Sequence, residues 1–281
     1  MSRKSLVKMI KQSQKPFDFA DSFLTDLQYT IVKLDKLDTK PPSNSVSPSQ
    51  MKCIRQMAYK LLGVPLSEGK DKSPNFVDIC NVGRMRHEAL QNTIYHMKDF
   101  GLNCEYVDVA NYVKEHNIDV RIGTVSDFEN GIYETHLYSD KYHASFLCDG
   151  IIKYKNKYFI LEIKTESGFK YLKQKGIQEE HKNQAIAYSL LLGIPDVMFL
   201  YEDRDLLNKK AYIYTPTYEE KEMLAGNIFY AIDKVKLNKV PALTWSKSEK
   251  ICGYCSYCRQ CRLDGKEECD YTPKQGSEPQ I

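Results

Sequence analysis

The sequence predicts an α/β fold with a central mixed β-sheet flanked by helices. Amphipathic helical stretches lie on either side of a block of strand-like runs between residues 104 and 215. Two of those runs, in "SFLCDGIIKYKNKYFILEIKTES" (145–167), read as a buried hairpin. Helix, several strands, helix, strand is the order of a layered α/β domain. At 281 residues and 42% hydrophobic, the chain can bury a full core, as one large domain or as a domain plus lobes.

Residues 1–40 mix charged and apolar side chains at helical spacing, and 36–50, with three prolines and four serines, reads as a linker or exposed loop. Ser47-Pro48-Ser49 then caps a helix whose apolar stripe is Met51, Ile54, Met57, Ala58, Leu61 and Leu62, stopped by Gly63 and Pro65. A second helix over 78–102 ends at Gly101. Strands are expected over 104–109, 118–122, 135–140, 145–154 and 158–164, the last two joined across Lys155-Asn156-Lys157. A helix over 178–192 is broken by Gly193 and Pro195; strands follow at 197–201 and 210–215, then a helix over 217–238 and the cysteine-rich "ICGYCSYCRQC".

The net charge of +3, from 40 basic and 37 acidic residues, is too balanced to establish a polyanionic partner. No apolar run reaches the roughly eighteen residues of a membrane span, and the basic start lacks the apolar segment of a signal peptide. The expectation is a cytoplasmic chain without a membrane partner. There thiols stay reduced, so nine cysteines point to metal or cluster binding rather than disulfides.

The hairpin places Asp149, Glu162 and Lys164 among apolar residues. A turn on Asn156-Lys157, or one spanning 155–158, sets residue 149 opposite 164 and 151 opposite 162. Tyr158, Ile160, Glu162 and Lys164 then share one face, and Phe159, Leu161 and Ile163 the other. Asp149 is diagonal to Glu162, about 7 Å away or less between Cβ atoms. A three-residue turn would break that alignment. Two such carboxylates repel unless a cation joins them, and Mg²⁺ or Mn²⁺ prefers oxygen ligands. The neighbouring ammonium would act on a metal-bound water and stabilise a pentacovalent phosphate, which is phosphodiester hydrolysis. Of the several acid-x-Lys triplets, the one at 162–164 ends an apolar strand and follows an Asp-Gly at hairpin distance; the plainer reading is a solvated sheet edge.

Two helical stretches add to this. "GRMRHE" (83–88) carries His87, by itself an ordinary surface histidine. "HKNQAIAY" (181–188) puts His181, Gln184 and Tyr188 on one helical face, able to bond a phosphate or the lysine. In order, Gly83…His87, Asp149-Gly150, Glu162-Ile163-Lys164 and Gln184…Tyr188 resemble the RecB-like branch of the PD-(D/E)xK nuclease superfamily. The resemblance implies a restriction-endonuclease-like core with His87, Asp149, Glu162 and the Ile163 carbonyl on Mg²⁺ or Mn²⁺. It implies Lys164 acting on the attacking water, Gln184 and Tyr188 positioning the lysine or the DNA backbone, and Glu88 as accessory. The activity it implies is a DNA exonuclease or end-processing enzyme in replication, recombination, repair or CRISPR-type adaptation, acting on single strands or free ends. The alternative is a non-cleaving or partner-dependent DNA-binding subunit of a nuclease/helicase complex. A helicase, recombination or integrase partner and a bacterial or phage source belong to the same expectation. Arg84, Arg86 and Lys182, with Lys153, Lys170, Lys173 and Lys175, would meet DNA, and tyrosines would stack on single strands.

Cys252, Cys255, Cys258 and Cys261 read locally as ligands for Zn²⁺ or a cluster. Similarity to iron–sulfur nucleases of the AddB and CRISPR-adaptation type implies another set. There Cys53, in "SPSQMKCIRQMAYKLLGV" (47–64), joins Cys252, Cys255 and Cys261 around a [4Fe–4S] cluster, with Cys258 as alternate. Such a staple would close a long loop into an iron–sulfur helical lobe. It also implies an N-terminal extension over 1–46, a nuclease domain over 47–262 and a polar tail over 263–281. Cys80, Cys104 and Cys148 read as core residues, and Cys269 as a free thiol in the tail.

Overall fold

The computed structural model describes residues 18–37, 44–66, 72–243, 252 and 255–272. Residues 1–17 of the extension, 38–43 of the proline- and serine-rich stretch and 273–281 of the tail lie outside the described residues. The helices are α1 (Phe19–Leu37), α2 (Ile54–Leu61), α3 (Pro74–Tyr95), α4 (Val109–Glu115), α5 (Gly168–Lys173), α6 (Glu179–Leu192), α7 (Tyr218–Lys236) and α8 (Cys258–Leu263). The strands are β1 (Cys104–Val107), β2 (Arg121–Ile122), β3 (His136–Ser139), β4 (Ala144–Leu147), β5 (Gly150–Tyr154), β6 (Lys157–Glu166), β7 (Val197–Asp203), β8 (Lys209–Tyr214), β9 (Lys239–Val240) and β10 (Cys269–Asp270). No helix among the described residues is long and apolar enough to cross a membrane.

The chain divides into two units, one of Met1–Pro41 with Lys70–Asn81 and one of Pro42–Gly69 with Val82–Ile281. The first holds α1, none of whose residues is buried, and the Lys72–Asp35 ion pair at 2.8 Å. Cys80 lies there and is exposed, which corrects its assignment to a core. The apolar neighbours that suggested one, Ile79 and Val82, are themselves exposed.

In the second unit a mixed five-stranded sheet runs β1-β5-β6-β7-β8. Its centre is β6, antiparallel to β5 and parallel to β7. A parallel neighbour needs a crossover, which α5 and α6 supply. Alternation along β6 sorts its side chains as expected. Ile160 joins a cluster with Ala185, Leu192 and Phe199, while Phe159, Leu161 and Ile163 join one with Leu90, Tyr106 and Tyr133. The sheet is therefore covered on both faces, with Glu162 and Lys164 on the Ile160 side.

Two expectations about the hairpin are corrected. The run 145–154 is not one strand: β4 pairs with β3 in a separate three-stranded sheet, and the chain passes from one sheet to the other at Cys148-Asp149. The turn is Lys155-Asn156, both with positive φ (49° and 65°). That two-residue geometry follows the right-handed twist of paired strands, and asparagine takes it readily. The ladder is thus two residues off the expected register, Ile151 facing Ile160 rather than Glu162. A slip of two keeps every side chain on its predicted face, and one step beyond the Gly150–Leu161 pair Asp149 falls against Glu162 instead of Lys164.

Most other elements stand within a few residues of expectation, and Met51, Met57, Ala58, Leu61 and Leu62 are buried. Ser47 caps a short 3₁₀ turn, Pro48–Gln50, rather than α2 itself. The sequence pattern missed α4 and α5, each under two turns long, although Asp108 is a readable cap that accepts from Ala110 N at 2.9 Å.

The C-terminal segment folds back on α2 through Arg55, which is 1% exposed. Its guanidinium donates to the carbonyls of Pro241 (2.8 Å), Glu267 (2.7 Å) and Gly265. Tyr59 Oη donates to Asp264 Oδ2 at 2.7 Å, and its ring meets buried Tyr257. Cys269 is not in a loose polar tail, because it pairs with Val240 in the β9–β10 ladder and packs against the core. Replacing Arg55 by Met leaves buried carbonyls without a donor. It is expected to cost on the order of 3 kcal/mol in urea unfolding and to speed proteolysis within 255–272 before the sheet is cut.

Candidate active site

The passage from β4 to β5 is fixed from both sides of the sheet. Tyr188 Oη, from α6, donates to the Leu147 carbonyl at 2.5 Å. Gln91 Nε2, from α3, donates to the Asp149 carbonyl at 2.8 Å, and Tyr106 Oη donates to that same oxygen. Gly150 makes this possible: its φ is +154°, and a Cβ there would come within 2.1 Å of Tyr106 Oη. With its backbone held, Asp149 turns Oδ2 onto the Ile163 N–H (2.6 Å) and Oδ1 toward His87 Nδ1 (3.6 Å).

Glu162 is 2% exposed. One carboxylate oxygen accepts from Lys164 Nζ, while the other, Oε2, is buried without a hydrogen-bond partner. Burial pushes the Glu162 carboxyl up to about 7, the Lys164 ammonium opposing and the Asp149 charge assisting. Lys164 also donates to Gln184 Oε1 (3.0 Å), and Gln184 Nε2 donates to Tyr188 Oη (3.1 Å). Burial works against the Lys164 cation, but Glu162 outweighs it and holds the ammonium above its ordinary pKa. Burial likewise opposes the His87 imidazolium, and Asp149 outweighs it.

The structure thus brings His87, Asp149, Glu162, Lys164, Gln184 and Tyr188 together from α3, the strand junction, β6 and α6. The Ile163 residue supplies the N–H that Asp149 accepts. Among the described residues no three His, Cys, Asp or Glu side chains are gathered tightly enough to hold a metal ion. The partner nearest Glu162 is instead the Lys164 ammonium. What the site leaves open is one buried acceptor, Glu162 Oε2, and an oxygen of this kind is the ligand type a hard cation prefers.

The basic residues are placed less uniformly. Arg84 is exposed on α3. Arg86 has its fork taken up by buried Glu202, at 2.7 and 2.9 Å, and Lys209 completes that pair. Lys182 pairs with Glu179 at 2.5 Å. His181 turns from Gln184 to Tyr201 Oη (2.8 Å). Sequence reasoning missed Gln91 and Tyr106. Gln91 was within reach, four residues past His87 on one helical face; Tyr106 meets Asp149 only through strand pairing.

Near α2 the thiols of Cys53, Cys252, Cys255 and Cys261 act on one another: burial raises the Cys53 and Cys255 pKa values, and the other thiols add to the rise. Arg55 Nη1 lies 3.6 Å from Cys261 Sγ. Cys258 opens α8 and is half-buried. Cys104 and Cys148 are buried, as expected.

No family model and no curated protein matches the chain. Among solved structures, the crystal structure of SSO0001 is similar over 87% of this chain and 96% of its own, at 17% identity and a TM-score of 0.43. A likeness at that score carries no argument about function.

Burial and the Lys164 charge depress the His181 pKa to about 3 from an ordinary 6.5. The unfolded chain takes up the proton first, so this stabilisation is complete above 6.5 and is lost as pH falls toward 3. His181→Phe keeps a ring against Phe199 and Tyr201 but cannot titrate. Urea unfolding at pH 7 and pH 4.5 is expected to show a smaller acid loss in the variant than in the wild type.

Proposed function

We propose that the chain is a metal-dependent DNA nuclease, an exonuclease or end-processing enzyme with a restriction-endonuclease-like core. The observation that carries this reading is a buried Glu162 with one oxygen unpartnered, set between Asp149 at the sheet junction and a Lys164 held by Gln184. Asp149, Glu162, His87 and the Ile163 carbonyl are the groups that would hold Mg²⁺ or Mn²⁺. When bound, such an ion supplies Lewis-acid polarisation of a phosphate and a more acidic water.

The chain's own residues do the remainder. Lys164 has three N–H groups, two of them occupied by Glu162 and Gln184. The third is the donor for a phosphate oxygen or the attacking water, in a setting where burial strengthens that bond. Gln184 and Tyr188 hold the lysine rather than the substrate, since both side chains are engaged in the relay to the Leu147 carbonyl. Arg86 drops out as a DNA contact on the same ground.

Cys53, Cys252, Cys255 and Cys261 are proposed to carry a [4Fe–4S] cluster. A buried guanidinium whose hydrogen bonds go to carbonyls and to Cys261 sulfur is suited to face an anionic cluster.

The direct test is digestion of end-labelled linear and circular DNA by anaerobically purified protein, with Mg²⁺ or Mn²⁺ against EDTA. Lys164→Ala and Glu162→Ala are expected to lower metal-dependent cleavage by about 10²-fold or more while leaving the circular-dichroism spectrum unchanged. Survival of circles marks an exonuclease. A folded wild type that binds DNA without cutting it would replace this reading with the non-cleaving subunit. For the cluster, Cys53→Ser is expected to lose visible absorbance and bound iron, and Cys258→Ser to retain both; a colourless wild type containing zinc would overturn the assignment.

A further inference from the structure

Immediately after the strand that carries Glu162 and Lys164, the chain forms a cleft. It has a volume of about 360 Å³ and is lined by residues of α5 and the following loop, among them Phe169, Lys170, Lys173, Gln174, Lys175 and Gln178. Of its three lysines Lys170 is paired with Glu180 at 3.6 Å, and Lys173 and Lys175 are the ammonium groups it offers an anion. Phe169, 69% exposed, gives it an aromatic face, over which Lys173 Nζ lies at 3.7 Å.

Two features separate this cleft from a merely solvated basic turn. Gln174 is 8% exposed and lines it, yet its Oε1 is buried with no hydrogen-bond partner, while its Nε2 is engaged by the Gly176 carbonyl at 3.1 Å. A buried acceptor without a donor, in the wall of a cleft that also presents Lys173 and Lys175, would be satisfied by a ligand that brings an N–H as well as negative charge. The walls are also fixed in place. Lys210 Nζ, from β8, donates to the carbonyls of Tyr171 (2.6 Å) and Gln174 (3.1 Å). Gln178 donates to Glu166, two residues past Lys164 on the same face of β6.

We infer that this cleft binds one nucleotide unit of a single strand next to the reacting phosphate, with the base against Phe169, a base N–H on Gln174 Oε1 and the backbone phosphate on Lys173 and Lys175. The three chemistries present, an aromatic face, a buried amide acceptor and exposed ammonium groups, are those a nucleotide needs together. An acidic peptide brings carboxylates and backbone N–H groups but no ring for the Phe169 face. A base inside a duplex has no free face to offer, so the cleft selects unpaired strand. The inference rests on the nucleic-acid part of the reading above but not on cleavage.

The test is binding in EDTA, by fluorescence anisotropy, of a short labelled single strand, of its abasic counterpart and of the duplex. The wild type is expected to prefer the base-bearing strand over the abasic one. Phe169→Ala is expected to remove that preference, weakening the base-bearing strand about tenfold and the duplex not at all. Lys173→Ala with Lys175→Ala is expected to weaken both single strands alike and to lower the salt slope by about 0.7 per lysine. All three side chains are exposed, so the fold is not at stake. Equal wild-type binding of base-bearing and abasic strands would overturn the inference. So would indifference to Phe169→Ala, or displacement by polyglutamate as effective as by the oligonucleotide. If the wild type fails to cut DNA but these binding differences appear, the cleft stands and the nuclease reading falls. If it cuts and they do not appear, the reverse holds.

Discussion

Removing the Glu162 carboxylate from water inside a two-sided sheet costs several kcal/mol, and the ammonium two residues on offsets this only in part. The carboxyl consequently sits near neutrality in its protonation, with one oxygen bonded to Lys164 and the other open. Everything nearby serves to keep that uneasy pair in place. Gln184 restrains the lysine, Tyr188 restrains Gln184, and the Leu147 carbonyl restrains Tyr188.

That relay ends where the two sheets meet, and this gives the junction its importance. Asp149 belongs to neither sheet's regular ladder. Its orientation comes from its own carbonyl, which Gln91 and Tyr106 hold from the face opposite α6. The two faces of the sheet thereby act on adjacent positions of one short segment, Leu147 from one side and Asp149 from the other. Gly150 is the residue that lets Tyr106 approach, since any Cβ would occupy the space of its hydroxyl. A second buried acid, Glu202, is treated differently: Arg86 and Lys209 satisfy both its oxygens and hold its carboxyl below the ordinary range against the effect of burial. Glu202 is thus fully paired, whereas Glu162 keeps one buried oxygen without a partner.

At the other end of the chain the same economy appears in Arg55. A buried cation is tolerated because carbonyls of the returning C-terminal segment receive its N–H groups. The segment that carries Cys255, Cys258 and Cys261 is thus fastened to α2 by hydrogen bonds before any ligand to its thiols is considered.

Periodicity alone determined the mixed α/β character, the covered sheet and the face on which Glu162 and Lys164 lie, because alternation along a strand is a local property that survives a slip of two residues. The apolar stripe of α2 and the helical face bearing Gln184 and Tyr188 were legible for the same reason. The turn at Lys155-Asn156, the break of 145–154 into two strands and the partner of Asp149 were decided in the tertiary structure. Strand twist, the second sheet and the Tyr106 hydroxyl act there across tens of residues, and no local pattern records them. The short helices α4 and α5 also escaped, since fewer than two turns show no helical period. So did the role of Arg55, whose partners lie about two hundred positions away; a single arginine in a helix reads as a surface charge until the segment that buries it is in place.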